Sequence, residues 1–281
     1  MILIGDCIES MRGLPDQSVH TCVTSPPYFG LRDYGHERQI GLEPTPDEFV
    51  AKLVAVFREV RRVLRDDGTL WVNLGDSYGS KKQLLGIPWR VAFALQADGW
   101  HLRQDIIWHK PNPMPESVTD RCTKAHEYIF LLSKSERYYF DAEAIKEPAI
   151  SNDRRPSALK RSRAFGYNTK DKAIKGYGNN PGEVSRGDIA PEARNRRSVW
   201  TIVTKPFKGA HFATFPPDLI EPCVKAACPE GGTVLDPFGG SGTTGLVAQT
   251  WGRKFILCEL NPNYAQMAKN RIEAEQDLFT A

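Results

Sequence analysis

A short segment near the amino terminus combines residue types that suit the binding of an amine. The segment Thr24-Ser25-Pro26-Pro27-Tyr28, which we name the proline loop, follows the apolar run Val19 to Val23. Proline has no N–H, so its two prolines offer carbonyl acceptors without a competing donor. The exocyclic amine of a nucleobase would donate to Ser25 Oγ and the Pro26 carbonyl, while Tyr28 stacks on the ring. A strand that ends in a proline turn is the structural alternative.

A second segment, near the carboxyl terminus, is typical of a nucleotide-binding turn. The β-branched run Thr233 to Leu235 leads into Asp236-Pro237-Phe238-Gly239-Gly240-Ser241-Gly242-Thr243-Thr244-Gly245, which we name the glycine turn. Three of its glycines have the G-x-G-x-x-G spacing of dinucleotide sites. Glu259 ends the next predicted strand and is spaced to accept hydrogen bonds from ribose hydroxyls. No lysine follows the glycines, which argues against a P-loop.

The acidic residue that opens the glycine turn favours one kind of nucleotide ligand. A carboxylate at Asp236 would repel a bound pyrophosphate, whereas it would attract an ammonium or a sulfonium. S-adenosyl-L-methionine carries both of these cations. A nicotinamide-dependent dehydrogenase also fits the glycines, but it gives the proline loop no role.

The two segments together resemble the amino-methylating DNA methyltransferases that use S-adenosyl-L-methionine. Their order, with the proline loop before the glycine turn, is similar to the permuted β class of that family, in which the target-recognition region lies between them. Two shorter stretches extend the resemblance, Gly5-Asp6-Cys7 and His211 to Pro216. The matches leave out only the middle of the chain, about residues 145–198.

The resemblance implies a reaction and a set of site residues. The reaction is methyl transfer from S-adenosyl-L-methionine to an exocyclic amine of a base flipped out of double-stranded DNA. The implied catalytic residues are Ser25, Pro26, Pro27 and Tyr28. The implied cofactor-binding residues are Asp6, Cys7, His211, Phe212, Thr214, Asp236, Phe238, Gly239, Gly240, Ser241, Gly242 and Glu259.

The first polar residue of the proline loop sets the expectation for the target base. Within the family a loop that begins with serine is commoner among enzymes that methylate N4 of cytosine, whereas one that begins with aspartate is usual for N6 of adenine. Both amines are planar donors, so the chemistry of Ser25 itself does not separate them. We expect methylation of cytosine N4, with adenine N6 as the alternative.

A basic segment between the two motifs suits contact with DNA. Residues 151–200 hold 12 Lys or Arg against 5 Asp or Glu, so this segment carries all of the positive surplus of a chain whose net charge is +3. We expect it to bind phosphates and read bases, with Arg194, Arg196 and Arg197 as candidates. A solvated loop is the structural alternative. A non-catalytic DNA-binding module would use this segment but leave the glycine turn idle.

The predicted elements that position these residues indicate an α/β fold. Strands alternate with helices, which implies a doubly wound, mainly parallel sheet that binds ligands at the carboxyl ends of its strands. The resemblance implies a class I methyltransferase-like core in permuted order. We expect residues 1–144 to form the catalytic-loop half of this core, 145–198 a basic target-recognition insertion, and 199–281 the S-adenosyl-L-methionine-binding half.

Composition narrows the partners and the compartment. The chain has no run of about 18 apolar residues and no signal peptide pattern, so we expect a cytoplasmic protein that does not bind a membrane. Six cysteines without a C-x-x-C pair argue against zinc, and we expect no metal. A homodimer and a cognate restriction nuclease are both open as partners, and the sequence decides neither.

Overall fold

The computed structural model describes residues 1–149, 193–204 and 215–280, without the side chains of 276–280. The chain divides into two compact units, Met1–Ala144 with Arg197–Ala281 and, separately, Ile145–Arg196. Both the proline loop and the glycine turn belong to the first unit. The predicted boundaries of the basic insertion stay a prediction, because most of that segment lies outside the described residues.

Ten strands are described, eight of them in the sheet of the first unit. In chain order they are β1 (Ile2–Ile4), β2 (Val19–Thr24), β3 (Leu64–Leu74), β4 (His101–His109), β5 (His126–Ser133), β6 (Glu147–Pro148), β7 (Ala193–Arg194), β8 (Val199–Thr201), β9 (Thr233–Asp236) and β10 (Lys254–Glu259). The strands β6 and β7 form a short antiparallel pair within the second unit.

The large sheet has the order β1-β10-β9-β2-β3-β5-β4-β8. Five of its neighbouring pairs are parallel, while β5 runs antiparallel to both β3 and β4. No helix lies in the described connection between β4 and β5, and strands joined without a crossover helix run antiparallel. The prediction of a doubly wound, mainly parallel sheet is confirmed.

Helices cover both faces of this sheet. They are α1 (Cys7–Arg12), α2 (Pro46–Val63), α3 (Ile87–Ala97), α4 (Pro217–Ala227), α5 (Thr243–Thr250) and α6 (Pro262–Thr280). The helices α1 to α3 pack in the main core cluster, and α5 and α6 pack together on the other face. Successive residues of β10 show the two faces, since Leu257 belongs to the second cluster and Cys258 to the first.

The longest helix of the first face shows why these elements form where they do. The Thr45 hydroxyl accepts from the Glu48 amide at 3.2 Å and caps α2, and Pro46 occupies its first turn. Fully buried apolar residues recur every three or four positions along it. They are Phe49, Leu53, Val56, Phe57, Val60 and Val63.

The central strand pair decides where the site lies. The strand β2 pairs in parallel with β9, with Cys22 beside Leu235 in the register. The two strands therefore end at the same edge of the sheet, and the proline loop and the glycine turn start side by side. This adjacency is the one expected for ligand binding in open α/β sheets.

Candidate active site

A cavity of about 750 Å³ opens at the carboxyl-end edge of the parallel strands. This volume lies within the usual range for small-molecule and cofactor sites. Loops that follow four strands, β1, β2, β9 and β10, contribute to its wall. The lining includes Gly5, Asp6, Cys7, Ser25, Pro26, Pro27, Tyr28, Phe238, Gly239, Gly240, Ser241 and Glu259. The structure thus brings most of the predicted site residues to one cavity.

Asn73 of β3 holds the proline loop from the side. Its Nδ2 donates to Tyr28 Oη at 2.8 Å and to Glu127 Oε2 at 2.9 Å, with a longer contact of 3.4 Å to Ser25 Oγ. The side chain is 3 % exposed and lines the cavity. Among the described residues, Asn73 Oδ1 is buried without a hydrogen-bond partner. One acceptor at the proline loop is therefore left unused by the protein.

Tyr28 is fixed at both its ring and its hydroxyl. The phenol donates to Glu127 Oε2 at 2.6 Å and accepts from Asn73 Nδ2 at 2.8 Å. Burial, followed by the negative charge of Glu127, raises the pKa of Tyr28 well above its usual range. The ring lies against the backbone of Gly75, where an added Cβ would come within 2.4 Å of Tyr28 Cε2. Stacking of Tyr28 on a base stays a prediction.

Glu127 and Lys110 complete this polar network. Lys110 Nζ donates to Glu127 Oε1, and the ammonium lies 4.2 Å from the centroid of the Trp108 ring. The Lys110 and Glu127 side chains are only 18 % and 15 % exposed. The mostly buried Glu127 carboxylate thus accepts a hydrogen bond from Tyr28 through one oxygen and is paired with the Lys110 ammonium through the other.

The sequence prediction missed Asn73, Lys110 and Glu127. A signal for Asn73 was present, because it is a polar residue inside the apolar run Leu70 to Leu74. Glu127 could not be found without the topology. It reaches the site because β5 runs antiparallel to β3, which pairs Tyr128 with Leu74 and brings the start of β5 to the carboxyl end of β3.

Asp236 organises the glycine turn from inside the protein. Its Oδ1 accepts from Thr24 Oγ1 at 2.6 Å and from the Phe238 amide at 3.0 Å, and its Oδ2 accepts from Thr244 Oγ1 at 2.7 Å. Burial raises the pKa of Asp236 to about 6, and these hydrogen bonds act in the opposite direction. The carboxylate is engaged by three protein donors, so the ligand contact predicted for it stays a prediction.

Glu259 lies beside the glycine turn and accepts from two backbone amides. Its Oε2 accepts from the Gly240 amide at 2.8 Å and its Oε1 from the Asn261 amide at 2.9 Å. Each carboxylate oxygen has a further lone pair, so both can also accept from ribose hydroxyls. Burial raises the pKa of Glu259, while the backbone donors lower it.

Close packing explains the glycines of the turn. A Cβ at Gly239 would lie 2.9 Å from Leu257 Cβ, and one at Gly242 would lie 2.8 Å from Ala268 Cβ. Gly242 also has a φ of +80°, in the left-handed region that side chains rarely adopt. The turn can therefore approach β10 and α6 closely. Arg271 Nη1 of α6 donates to Ser241 Oγ at 3.1 Å and ties the turn to the helix.

The segment after β1 forms the wall next to Glu259. The Gly5 amide donates to the Glu259 carbonyl at 2.9 Å, which places Asp6 and Cys7 beside β10. Asp6 Oδ1 accepts from the Glu9 amide at 3.0 Å and caps α1. Burial raises the pKa of Cys7 to about 12, so Cys7 contributes a neutral thiol to the cavity.

Two sets of predicted residues are not tested by the described structure. His211, Phe212 and Thr214 lie outside the described residues. Arg194 Nε donates to Glu147 Oε1 at 2.8 Å within the second unit. Arg196 belongs to the second unit and Arg197 to the first, and DNA contact by all three arginines stays a prediction.

Two further observations concern metals and membranes. In residues 1–149, 193–204 and 215–280, no three His, Cys, Asp or Glu side chains are grouped in a way that would hold a metal ion. The helices of the same ranges include none with the length and apolar character that a membrane span requires.

Comparison with known sequences matches nearly the whole chain. A profile described as DNA methylase, for the N6 and N4 methyltransferases, matches residues 19–270. The type II methyltransferase M.XycI of Xanthomonas campestris pv. cyanopsidis is 46% identical over 299 residues, covering 96% of this chain and 87% of M.XycI. M.SmaI of Serratia marcescens is 44% identical over 299 residues, covering 96% of this chain and 90% of M.SmaI.

Comparison with solved structures gives the same fold. The PvuII DNA methyltransferase (cytosine-N4-specific) superposes with a TM-score of 0.71 at 22% identity, covering 99% of this chain and 90% of that protein. A Thermus thermophilus protein assigned as a DNA modification methylase, solved with S-adenosyl-L-methionine, superposes with a TM-score of 0.63. It is 27% identical, and the match covers 98% of this chain and 95% of that protein.

Proposed function

The chain belongs to the N6/N4 DNA methylase family, and on that premise we propose that it methylates N4 of a cytosine flipped out of double-stranded DNA. The observation that carries this proposal is the shared cavity. The proline loop and the glycine turn, which are 212 positions apart between Thr24 and Asp236, line one space at the end of adjacent strands. One side of this space suits an amine and the other suits a nucleoside.

S-adenosyl-L-methionine is the cofactor that fits the second side. The solved Thermus thermophilus relative, 27% identical to this chain, contains this molecule. In our chain Glu259 would accept from the ribose hydroxyls, and the glycine turn would pass close to the methionine moiety. The bound cofactor supplies an electrophilic methyl group. A nicotinamide-dependent dehydrogenase loses its support, because the family accounts for the glycine turn and the proline loop together.

The proline loop would prepare the amine for attack. The lone pair of an exocyclic amine is delocalised into the ring, so the free amine is a poor nucleophile. Ser25 Oγ and the Pro26 carbonyl would accept its N–H bonds and favour a pyramidal nitrogen, whose developing positive charge these fixed dipoles stabilise. Direct transfer then requires positioning and no covalent enzyme intermediate.

The finer assignments rest on the same two segments. The serine at position 25 supports cytosine N4 over adenine N6, and the order of the segments along the chain supports the permuted β class. The name type II methyltransferase, carried by several relatives, supports a place in a restriction-modification system. The basic stretch that includes Arg194, Arg196 and Arg197 would contribute DNA contacts.

The test is the identity of the methylated nucleoside. DNA treated with the protein and S-adenosyl-L-methionine is digested to nucleosides, which are separated and weighed, and we expect N4-methylcytosine. N6-methyladenine as the sole product would overturn the cytosine assignment. Ser25→Ala should abolish most of the product, whereas Ser18→Ala, which removes a hydroxyl bonded to the Pro15 carbonyl, is the matched control.

A further inference from the structure

Methyl transfer to an amine leaves a proton that the site must remove. When the nitrogen–carbon bond forms and the sulfur–carbon bond breaks, the sulfonium becomes a neutral thioether and the amine becomes cationic. The neutral methylated base appears only after one N–H proton has left. Ser25 Oγ is a hydroxyl, so it can take this proton only if it gives its own proton to another group.

Three side-chain oxygens of the cavity are gathered around one amide nitrogen. Asn73 Nδ2 donates to Ser25 Oγ at 3.4 Å, to Tyr28 Oη at 2.8 Å and to Glu127 Oε2 at 2.9 Å. The Tyr28 phenol in turn donates to Glu127 Oε2 at 2.6 Å. All four side chains line the same cavity. These three oxygens form a path from the predicted amine position to a carboxylate.

Glu127 is the only carboxylate among the five side chains of this network, Ser25, Tyr28, Asn73, Lys110 and Glu127. It is therefore the one member that becomes neutral when it accepts a proton. The titratable groups that face it are Tyr28, the Lys110 ammonium, and, by longer-range electrostatic interaction, Lys124 and His126. Lys110 pairs with Glu127 Oε1, whereas the Tyr28 phenol donates to Glu127 Oε2.

We propose that Glu127 is the final acceptor of the amine proton, reached through the hydroxyls of Ser25 and Tyr28. In this step the amine N–H proton passes to Ser25 Oγ, the Ser25 proton passes to Tyr28 Oη, and the Tyr28 proton passes to Glu127 Oε2. The carboxylate becomes a carboxylic acid, both hydroxyls are regenerated, and the base leaves as a neutral methylamine. Glu127 acts through Tyr28 and is in this sense a positioning residue. The inference rests on the proposed function.

The test is the single-turnover rate of methyl transfer, measured from labelled S-adenosyl-L-methionine with enzyme in excess over DNA. For the wild type we expect a pH–rate profile with an acidic limb, in which the rate falls tenfold for each unit by which the pH is lowered. Glu127→Gln keeps an acceptor for the Tyr28 phenol but cannot take a proton, so the rate should fall about 100-fold and the acidic limb should disappear. Tyr28→Phe should give the same loss, and the double variant should lose no more than either single variant.

Matched measurements separate this role from a structural one. Glu116→Gln removes a carboxylate that is paired with Arg121 and does not line the cavity, and it should leave the rate and the pH profile unchanged. Glu127→Asp keeps a carboxylate and should restore the acidic limb, although the rate stays below that of the wild type. The melting temperature and the dissociation constant for S-adenosyl-L-methionine should stay close to wild type in Tyr28→Phe.

Two results would overturn the proposed transfer of the proton to Glu127. One is an unchanged pH profile in a folded Glu127→Gln variant, and the other is a wild-type rate in Tyr28→Phe, which decides the matter if Glu127→Gln does not fold. Failure of the proposed function has a different signature. If the proposed function is wrong, the wild-type protein transfers no methyl group to cytosine N4. If only the route of the proton is wrong, the wild type is active and the variants do not show the expected rates.

Discussion

The proline loop and the glycine turn lie at the same edge of the sheet but are held in opposite ways. The glycine turn is fixed from within, because the buried Asp236 carboxylate binds Thr24, Thr244 and the Phe238 amide. The proline loop is fixed by side chains that themselves face the cavity, chiefly Asn73 and Glu127.

Because the two segments are held differently, we expect substitutions near them to have different effects, on stability in one case and on the reaction rate in the other. Changes at Asp236 should act first on folding, since its bonds join β2, β9 and α5. Changes behind the proline loop should act first on the rate, since its supports stand where a substrate would bind and Asn73 Oδ1 has no hydrogen-bond partner among the described residues. A buried polar group without a partner calls for an explanation, and contact with a bound substrate is one.

The largest loss of stability is expected when the Asp236 side chain is truncated. Asp236→Ala leaves the Thr24 and Thr244 hydroxyls and the Phe238 amide without their acceptor, so we expect the free energy of unfolding to fall by about 4 kcal/mol at pH 7. Urea denaturation measures it. Asp66→Ala is the control, because Asp66 is 72 % exposed in its pair with Lys134 and should contribute little. An equal fall in the free energy of unfolding in the two variants would contradict a structural role for the buried Asp236 carboxylate.

A second prediction concerns the charge of the same residue. Its pKa is about 6 in the folded protein and about 3.8 in the unfolded chain, so the unfolded state ionises first as the pH rises. The stability contributed by protonated Asp236 is therefore fully present below about pH 4, is lost between about pH 4 and pH 6, and amounts to about 3 kcal/mol.

Asp236→Asn removes this titration while it keeps an amide in place. Thr244 Oγ1 also lies 3.3 Å from the Val23 carbonyl and can donate there, which leaves it free to accept from the new amide. Stability measured by urea at pH 4, 5, 6 and 7 should therefore fall with pH in the wild type relative to Asp236→Asn. Parallel curves would show that the carboxylate is not buried as described.

The smallest effect on stability is expected at the proline loop. Gly75→Ala would place a methyl group 2.4 Å from Tyr28 Cε2, so the ring must move and its bond to Glu127 must lengthen. We expect a cost of about 2 kcal/mol from overpacking, with a larger relative loss in the methyl-transfer rate. In a Tyr28→Ala background the same methyl group has room, and its cost should vanish. Additive costs in this double-mutant cycle would argue against direct contact.

Much of the fold was readable from the sequence because its signals are local. The cap at Thr45, the apolar stripe of α2 and the β-branched run of β9 each specify an element by its own residues. The rule that ligand loops gather at the carboxyl ends of parallel strands predicted the edge of the sheet at which the proline loop and the glycine turn lie. The adjacency of the proline loop and the glycine turn was therefore within reach.

The supports of the proline loop were not within reach, for a topological reason. Glu127 and Lys110 lie on or beside the antiparallel pair β4 and β5, and an alternating strand-and-helix pattern does not reveal that this pair is reversed. The sequence also did not reveal that the Asp236 side chain points into the protein. Composition gives the charge of that residue, but only the positions of Thr24 and Thr244 show which way the carboxylate points.

The pairing of β2 with β9 has a consequence for how the molecule is made. Ribosomes add about 5–20 residues per second, so β2 emerges at least roughly ten seconds before its partner β9 has been synthesised. The hydrogen bond between Thr24 and Asp236 spans 212 positions and cannot form during that interval. Such long-range closure slows folding. A nascent chain therefore contains its proline loop early, but the cavity is complete only after the glycine turn and Glu259 have been translated.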